Sequence, residues 1–249
     1  MRANKLKLND SKTELFLISS PRHAAAVSQL GIDLKIGGSV ITPSSCITNL
    51  GIVFDSNLNM KQHVSKLCRT VNFHIRNLWR IRRFIDRTTC AHAVRSLILS
   101  RLDYCNSLLG GLPKSDMQRL QRLQNRAARL VYHVDRRTSA APLIRELHWL
   151  PVQQRVYFKI LVHVYNCLQG SSPQYLHDLI CLYTPGHAGL RSTHDSTRLV
   201  TPSTKRAYGD KCFSVLGPKL WNNLPRSLRE VNSVQIFKKH LKTYLFPKY

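Results

Sequence analysis

Acidic residues are scarce in this chain. Thirteen Asp+Glu stand against 38 Lys+Arg in 249 residues, a formal net charge of +25. The carboxylates occur singly, from Asp10 and Glu14 through Asp86 and Asp103 to Glu230, with no adjacent acidic pair. Two-metal phosphoryl transfer needs carboxylates converging on ions about 4 Å apart, and the sequence offers no obvious pair. Gly-x-Ser-x-Gly, phosphate-cradling Gly-x-x-x-x-Gly-Lys-Ser/Thr and His-Glu-x-x-His are missing too. The chain is therefore read as having no catalytic residues, cofactor or small-molecule substrate of its own.

Paired cysteines are also lacking. The seven cysteines are scattered, odd in number and never arranged as Cys-x-x-Cys, which argues against a secreted disulfide scaffold and for reduced thiols in nucleus and/or cytoplasm. Cys167, His177, Cys181, His187 and His194 are the nearest approach to a zinc set, but their spacings fit neither a knuckle nor a finger. They read as core cysteines and surface histidines, and no metal is expected. No apolar run approaches the roughly 20 residues of a membrane span. The start, Met1-Arg-Ala-Asn-Lys5, leads into no apolar signal segment. No membrane partner is expected.

What is present is enough apolar material for a core, 43% of residues, so the positive charge sits on a folded chain. Residues 1–58 read as short strands: Leu6 and Leu8 alternate with polar neighbours, Glu14-Leu-Phe-Leu-Ile18 is apolar, and Asp33–Ile36 and Ser39–Ile41 flank Gly37-Gly38 as a hairpin. Asn49–Phe54 is a further strand candidate. Strands this short and few make a poor independent domain.

After Asn59 the period becomes helical. Asn59-x-x-Gln62 resembles a capping box, and Val64, Leu67, Cys68, Val71, Ile75 and Leu78 share one face. A second helix is predicted from Thr89 to about Leu109, stopped by Gly110-Gly111. Ser115-x-x-Gln118 caps a third, carrying Leu120, Leu123, Ala127 and Leu130. Pro151 to Gly170 bounds a fourth with Val152, Val156, Ile160 and Val164 inward, and Ser233 opens a last one with Val234, Phe237 and Leu241. Residues 183–211 read as a loop. Asp86 and Asp103 read as helix caps and local ion-pair partners.

The charge is ordered. On the first long helix Arg69, Arg76, Arg80 and Arg83 lie opposite the Val64 face, a guanidinium line of about 21 Å at 1.5 Å per residue. On the third, Arg119, Arg122, Arg126 and Arg129 repeat the device at spacings of three, four and three. Such rows repel themselves and match phosphate oxygens bidentately, so these eight are the candidate nucleic-acid-binding residues, gripping backbone without reading sequence. Phe73, Trp79, Trp149 and Trp221 are candidates for base stacking, with core packing the favoured role.

Several segments resemble LINE-type (non-LTR) retrotransposon reverse transcriptases, especially jockey-like and chicken-repeat-like elements: Asn4-Lys-Leu-Lys-Leu-Asn-Asp-Ser-Lys-Thr-Glu14, Leu50-Gly-Ile-Val-Phe-Asp55, Tyr104-Cys105-Asn106, Leu120-Gln-Arg-Leu-Gln-Asn-Arg-Ala-Ala-Arg129, Leu147-His-Trp-Leu-Pro-Val152, Phe158-Lys-Ile160 and Pro173-Gln-Tyr-Leu176. Tyr208-Gly-Asp-Lys-x-Phe213, Pro218-Lys-Leu-Trp-Asn-x-Leu-Pro225 and Phe237-Lys-x-x-Leu-Lys-Thr-Tyr244 complete the set in the family's order. The resemblance implies the end of the palm, the thumb and the C-terminal region of an RNA-directed DNA polymerase. The family's paired metal aspartates, its fingers and its endonuclease would lie before Met1, in an upstream polymerase polypeptide. It also implies that Lys12 falls in the motif carrying a lysine assigned to assist phosphoryl transfer, here a vestige without the metal site.

The reading is an α+β, mostly α fold: a β remnant of a palm (1–58), a helical thumb-like region (59–135) and a C-terminal helical region (136–249). Its expected partners are RNA and/or DNA, bound through the backbone. Alternatives are a domesticated helical module that binds an acidic protein, and a decayed fragment without a selected role.

Overall fold

The computed structural model describes residues 9, 12–20, 22–36, 38–184, 197–205 and 208–246. It is α+β and mostly α-helical. The chain forms two compact units, Met1–Lys66 and Leu67–Tyr249.

The first unit holds β1 (Leu15–Phe16), α1 (Ala24–Gln29), β2 (Leu34–Ile36), β3 (Ser39–Ile41), β4 (Pro43–Ser44), β5 (Cys46–Asn49) and β6 (Ile52–Asp55). The strands form three separate two-stranded ladders: β1 with β4 in parallel, β2 with β3 and β5 with β6 antiparallel. The predicted glycine hairpin is there, with Leu34 opposite Ile41 and Ile36 opposite Ser39. The predicted strand over 49–54 needs correcting. Asn49 ends β5, and Leu50-Gly51 is a two-residue turn with φ of +47° and +82°. Both central residues of such a hairpin must be left-handed, and leucine is a poor signal for that conformation.

Helix α2 (Lys61–Ile81) follows, and the division between the units falls inside it. Its start is capped by Asn59, whose Oδ1 accepts the Lys61 N–H at 2.9 Å. The reciprocal bond expected from Gln62 is made from the other direction: the Asn59 N–H donates to Asp55 Oδ1 at 3.0 Å.

The second unit continues with α3 (Arg87–Val94), α4 (Ser100–Asp103), α5 (Lys114–Tyr132), α6 (Ala140–Glu146), α7 (Val152–Leu168), α8 (Gln174–His177), α9 (Phe213–Asn222), α10 (Arg226–Arg229) and α11 (Val234–Leu245). Helix α5 packs on both α6 and α7. Asp86 caps α3 through the Thr88 and Thr89 N–H groups. The single helix predicted over 89–109 is interrupted. Residues Arg95–Leu99 widen into a π-helical turn, and Cys105 at φ +49° ends α4 before a 3₁₀ turn at Asn106–Leu109. Side-chain donors compensate the widened turn: Ser100 Oγ bonds the Ser96 carbonyl, and Arg101 Nη1 bonds the Leu97 carbonyl at 2.8 Å.

Four helices begin directly after a proline. Pro113, Pro151, Pro173 and Pro225 precede α5, α7, α8 and α10 with φ between −53° and −56° and ψ between 144° and 155°. The expected Ser115 cap of α5 is therefore replaced by Pro113, one residue before the helix, with no side-chain cap. A buried cluster joins α7, α9 and α11. There Tyr165 stacks on Phe237 at 4.4 Å and 18°, its hydroxyl donates to the Val231 carbonyl at 2.9 Å, and Trp221 donates its indole N–H to the Thr197 carbonyl. Each such side chain contributes about 2–3 kcal/mol by leaving water. Gly217 sets the separation of α9 and α7, since a Cβ there would lie 2.9 Å from Val164 Cγ2.

Helices α2 and α5 run side by side in the same direction. Asn72 accepts a bond from Arg126, and the Trp79 ring lies 5.6 Å from His133. At their common end the buried Arg82 guanidinium donates Nε to the Leu130 carbonyl at 2.9 Å, Nη2 to the Val131 carbonyl at 2.8 Å and Nη1 to the Ile85 carbonyl at 2.7 Å. Helix ends leave carbonyls unsatisfied and carry a negative partial charge, and one cation answers both. Arg82→Ala, with Arg82→Lys beside it, removes donors from buried acceptors. Urea unfolding is expected to show a loss of about 2–4 kcal/mol for alanine and nearly as much for lysine, whose single ammonium cannot span three carbonyls.

Candidate nucleic-acid interface

Helix α2 carries Lys61, Lys66, Arg69, Arg76 and Arg80 and no carboxylate. Its apolar stripe, Val64, Val71, Ile75 and Leu78, is buried. Arg69, Arg76, Arg80 and Arg83 are all exposed on another side. The line predicted from the sequence is thus a water-facing row, with neighbours about 5–6 Å apart at Cβ where they are three or four residues apart.

The α5 line is different in kind. Arg119 is half-buried and paired with the buried Asp116 at 3.0 Å. Arg126 bonds Asn72 on α2, and Arg129 donates Nε to the Thr138 carbonyl at 2.7 Å. Arg122 is exposed. Arg126 and Arg129 therefore tie α5 to other parts of the fold and Arg119 pairs within the helix, uses that the sequence spacing alone does not distinguish from an open charge row. Asn72 lies three residues beyond Arg69 and four before Arg76, so Arg126 reaches α2 beside its arginine row. At the start of the seam Arg119 acts on Cys68, whose thiol burial pushes up in pKa against that nearby positive charge.

Two aromatics of the four candidates are core: Trp149 and Trp221 are buried. Phe73 and Trp79 are exposed, as is Phe84, which the sequence reading passed over. The Arg83 guanidinium lies 4.6 Å above the Phe84 ring. Arg82 was passed over too. Advancing 100° per residue from Val64 returns Arg82 to the Val64 direction, and an arginine on the apolar stripe was the available signal.

Lys12 lies in the first unit, exposed, in a turn where its N–H bonds the Asn9 carbonyl at 3.1 Å. Asp103, expected to serve locally, pairs with Arg155 at 2.6 Å. Of the zinc candidates, Cys167 is buried while His177 and Cys181 are exposed, and His187 and His194 lie outside the described residues. Among the described residues no three His, Cys, Asp or Glu side chains gather as a metal set, and no described helix is long and apolar enough to cross a membrane.

A clamp braces the far side of α5. Arg87 lies over the Tyr132 ring at 3.9 Å, bonds its hydroxyl and pairs with Glu146 at 2.6 Å. Burial and the Glu146 carboxylate push the Tyr132 hydroxyl up to about 12.

His74, next to Phe73, is held below the ordinary histidine value of 6.5 by burial and by Arg101. His63 and His163 are lowered by burial and by Lys66 and Lys159 respectively. The unfolded chain takes up these protons at higher pH than the folded one, so their neutral forms favour folding above 6.5 and the contribution is lost as pH falls through the lowered values. Unfolding midpoints are expected to decline below pH 6.5, and Arg101→Gln should raise the pKa of His74 in an NMR titration.

No family model, curated protein or solved structure matches this chain.

Proposed function

We propose that this chain binds nucleic acid, RNA or an RNA–DNA duplex, by its sugar–phosphate backbone, as the C-terminal part of a retroelement RNA-directed DNA polymerase whose metal aspartates belong to another segment. The observation that carries the reading is the row Arg69, Arg76, Arg80 and Arg83: four exposed guanidinium groups on or just beyond a helix with no carboxylate. A solvated helix face gains from oppositely charged neighbours three or four residues away, and this one has none of its own. Phosphates at successive positions supply the missing charge and match the planar fork of each arginine. The polymerase assignment rests on the motifs from Leu50-Gly-Ile-Val-Phe-Asp55 to Phe237-Lys-x-x-Leu-Lys-Thr-Tyr244 and agrees with a mostly helical chain preceded by short strands.

Backbone binding releases counterions, so affinity should fall log-linearly with salt at a slope of about 0.9 per duplex phosphate neutralised, or about 0.7 on a single strand. Replacing Arg69, Arg76 and Arg80 together by Gln is expected to lower that slope by about 2–3 while leaving stability within about 0.5 kcal/mol. Gln at Arg119 and Arg129 should do the reverse, costing stability because both hold intramolecular partners. The measurement is anisotropy titration across a salt series alongside urea unfolding. A slope untouched by the triple replacement removes α2 from the mechanism.

A further inference from the structure

Phe73 and Phe84 sit among the α2 arginines and stay in water, 52% and 71% exposed. Both rings have arginines close by in the sequence. Phe73 lies four residues after Arg69 and three before Arg76, and Phe84 lies four after Arg80 and beside Arg83. The Phe73 ring meets His74 edge to face at 5.4 Å and 77°, and the Phe84 ring takes the Arg83 guanidinium at 4.6 Å. Leaving so much aromatic area in water forgoes about 25 cal/mol for each square ångström that could be covered. Phe73 lies away from the buried stripe of α2, and Phe84 ends the 3₁₀ turn Arg82–Phe84 that follows the helix.

Phosphate contact alone leaves these rings uncovered. In a duplex the flat base surfaces are turned inward against one another, so an aromatic side chain beside the backbone finds no flat partner. An unpaired strand offers both groups in alternation, and aromatic rings interspersed with cations are the recurrent means of holding one. From Phe73 the path follows α2 to Ile81 and then the 3₁₀ turn Arg82–Phe84, about 18 Å in all at 1.5 and 2.0 Å per residue, room for several nucleotides of an unpaired strand.

We propose that α2 and the 3₁₀ turn that follows it hold an unpaired nucleic-acid strand, with Phe73 and Phe84 stacking on bases several nucleotides apart and Arg69, Arg76, Arg80 and Arg83 holding the phosphates between and beside them. The proposal rests on the nucleic-acid reading above and narrows it to a single-stranded ligand.

The test compares the full chain with a Phe73→Leu/Phe84→Leu variant, which keeps apolar bulk at both exposed positions. The probes are an oligouridine of about 12 nucleotides, long enough for one site, and an RNA duplex of the same length. Stacking predicts at least a tenfold loss of affinity for the single strand, duplex affinity within about twofold, and unchanged salt slopes for both. A 2-aminopurine placed in the strand should be quenched by the native chain and not by the variant, with circular dichroism showing both equally folded. If the variant binds the single strand as well as the native chain does, or loses both ligands equally, stacking is overturned and the backbone reading stands. If the native chain binds neither probe at low salt, both readings fall together.

Discussion

The Arg82 guanidinium, buried at the shared end of two parallel helices, is the interaction on which the rest of the second unit's charged face depends. Parallel neighbours place their negative ends side by side, an arrangement that is unfavourable without a cation between them. Arg82 supplies that cation and three well-aligned donors. By tying the end of α2 to the last carbonyls of α5 it fixes which way the remaining arginines of α2 can turn. With Arg82 inward, Arg80 and Arg83 on either side of it must face water.

Within a charge of +25, the few carboxylates are placed economically. Asp116, Glu146, Asp103 and Asp210 each hold a particular cation: Arg119, Arg87, Arg155 and Lys219. Part of the positive charge is thus neutralised within the chain, whereas α2 has no carboxylate of its own. Arg126 reaches from α5 to Asn72 beside the α2 row.

Periodicity made the long helices legible, because α2, α5, α7 and α11 each carry an apolar stripe that the core requires. The hairpin of β2 and β3 was legible because Gly37-Gly38 announces a left-handed turn, whereas the neighbouring turn was hidden by leucine at Leu50. The break between α3 and α5 was invisible to pattern: the π-helical turn leaves Val94, Ile98 and Leu102 buried and is marked by back-bonding from Ser100 and Arg101. In the site, spacing located both arginine rows but could not separate them, since the partners of Arg119, Arg126 and Arg129 are set by tertiary packing. Phe84 was missed because it lies beyond the end of α2, where helical phase no longer says which way a side chain faces.

The proline-led starts of α5, α7, α8 and α10 carry a consequence of their own. A ring fixes the backbone angle covalently and narrows the unfolded ensemble, whereas a carboxylate cap such as Asp86 works only while ionised and weakens in concentrated salt. A polymer of phosphates brings a dense cloud of counterions with it. The four helix origins set by a ring keep their backbone angle in that cloud, while the Asp86 cap and the guanidinium surface respond to it.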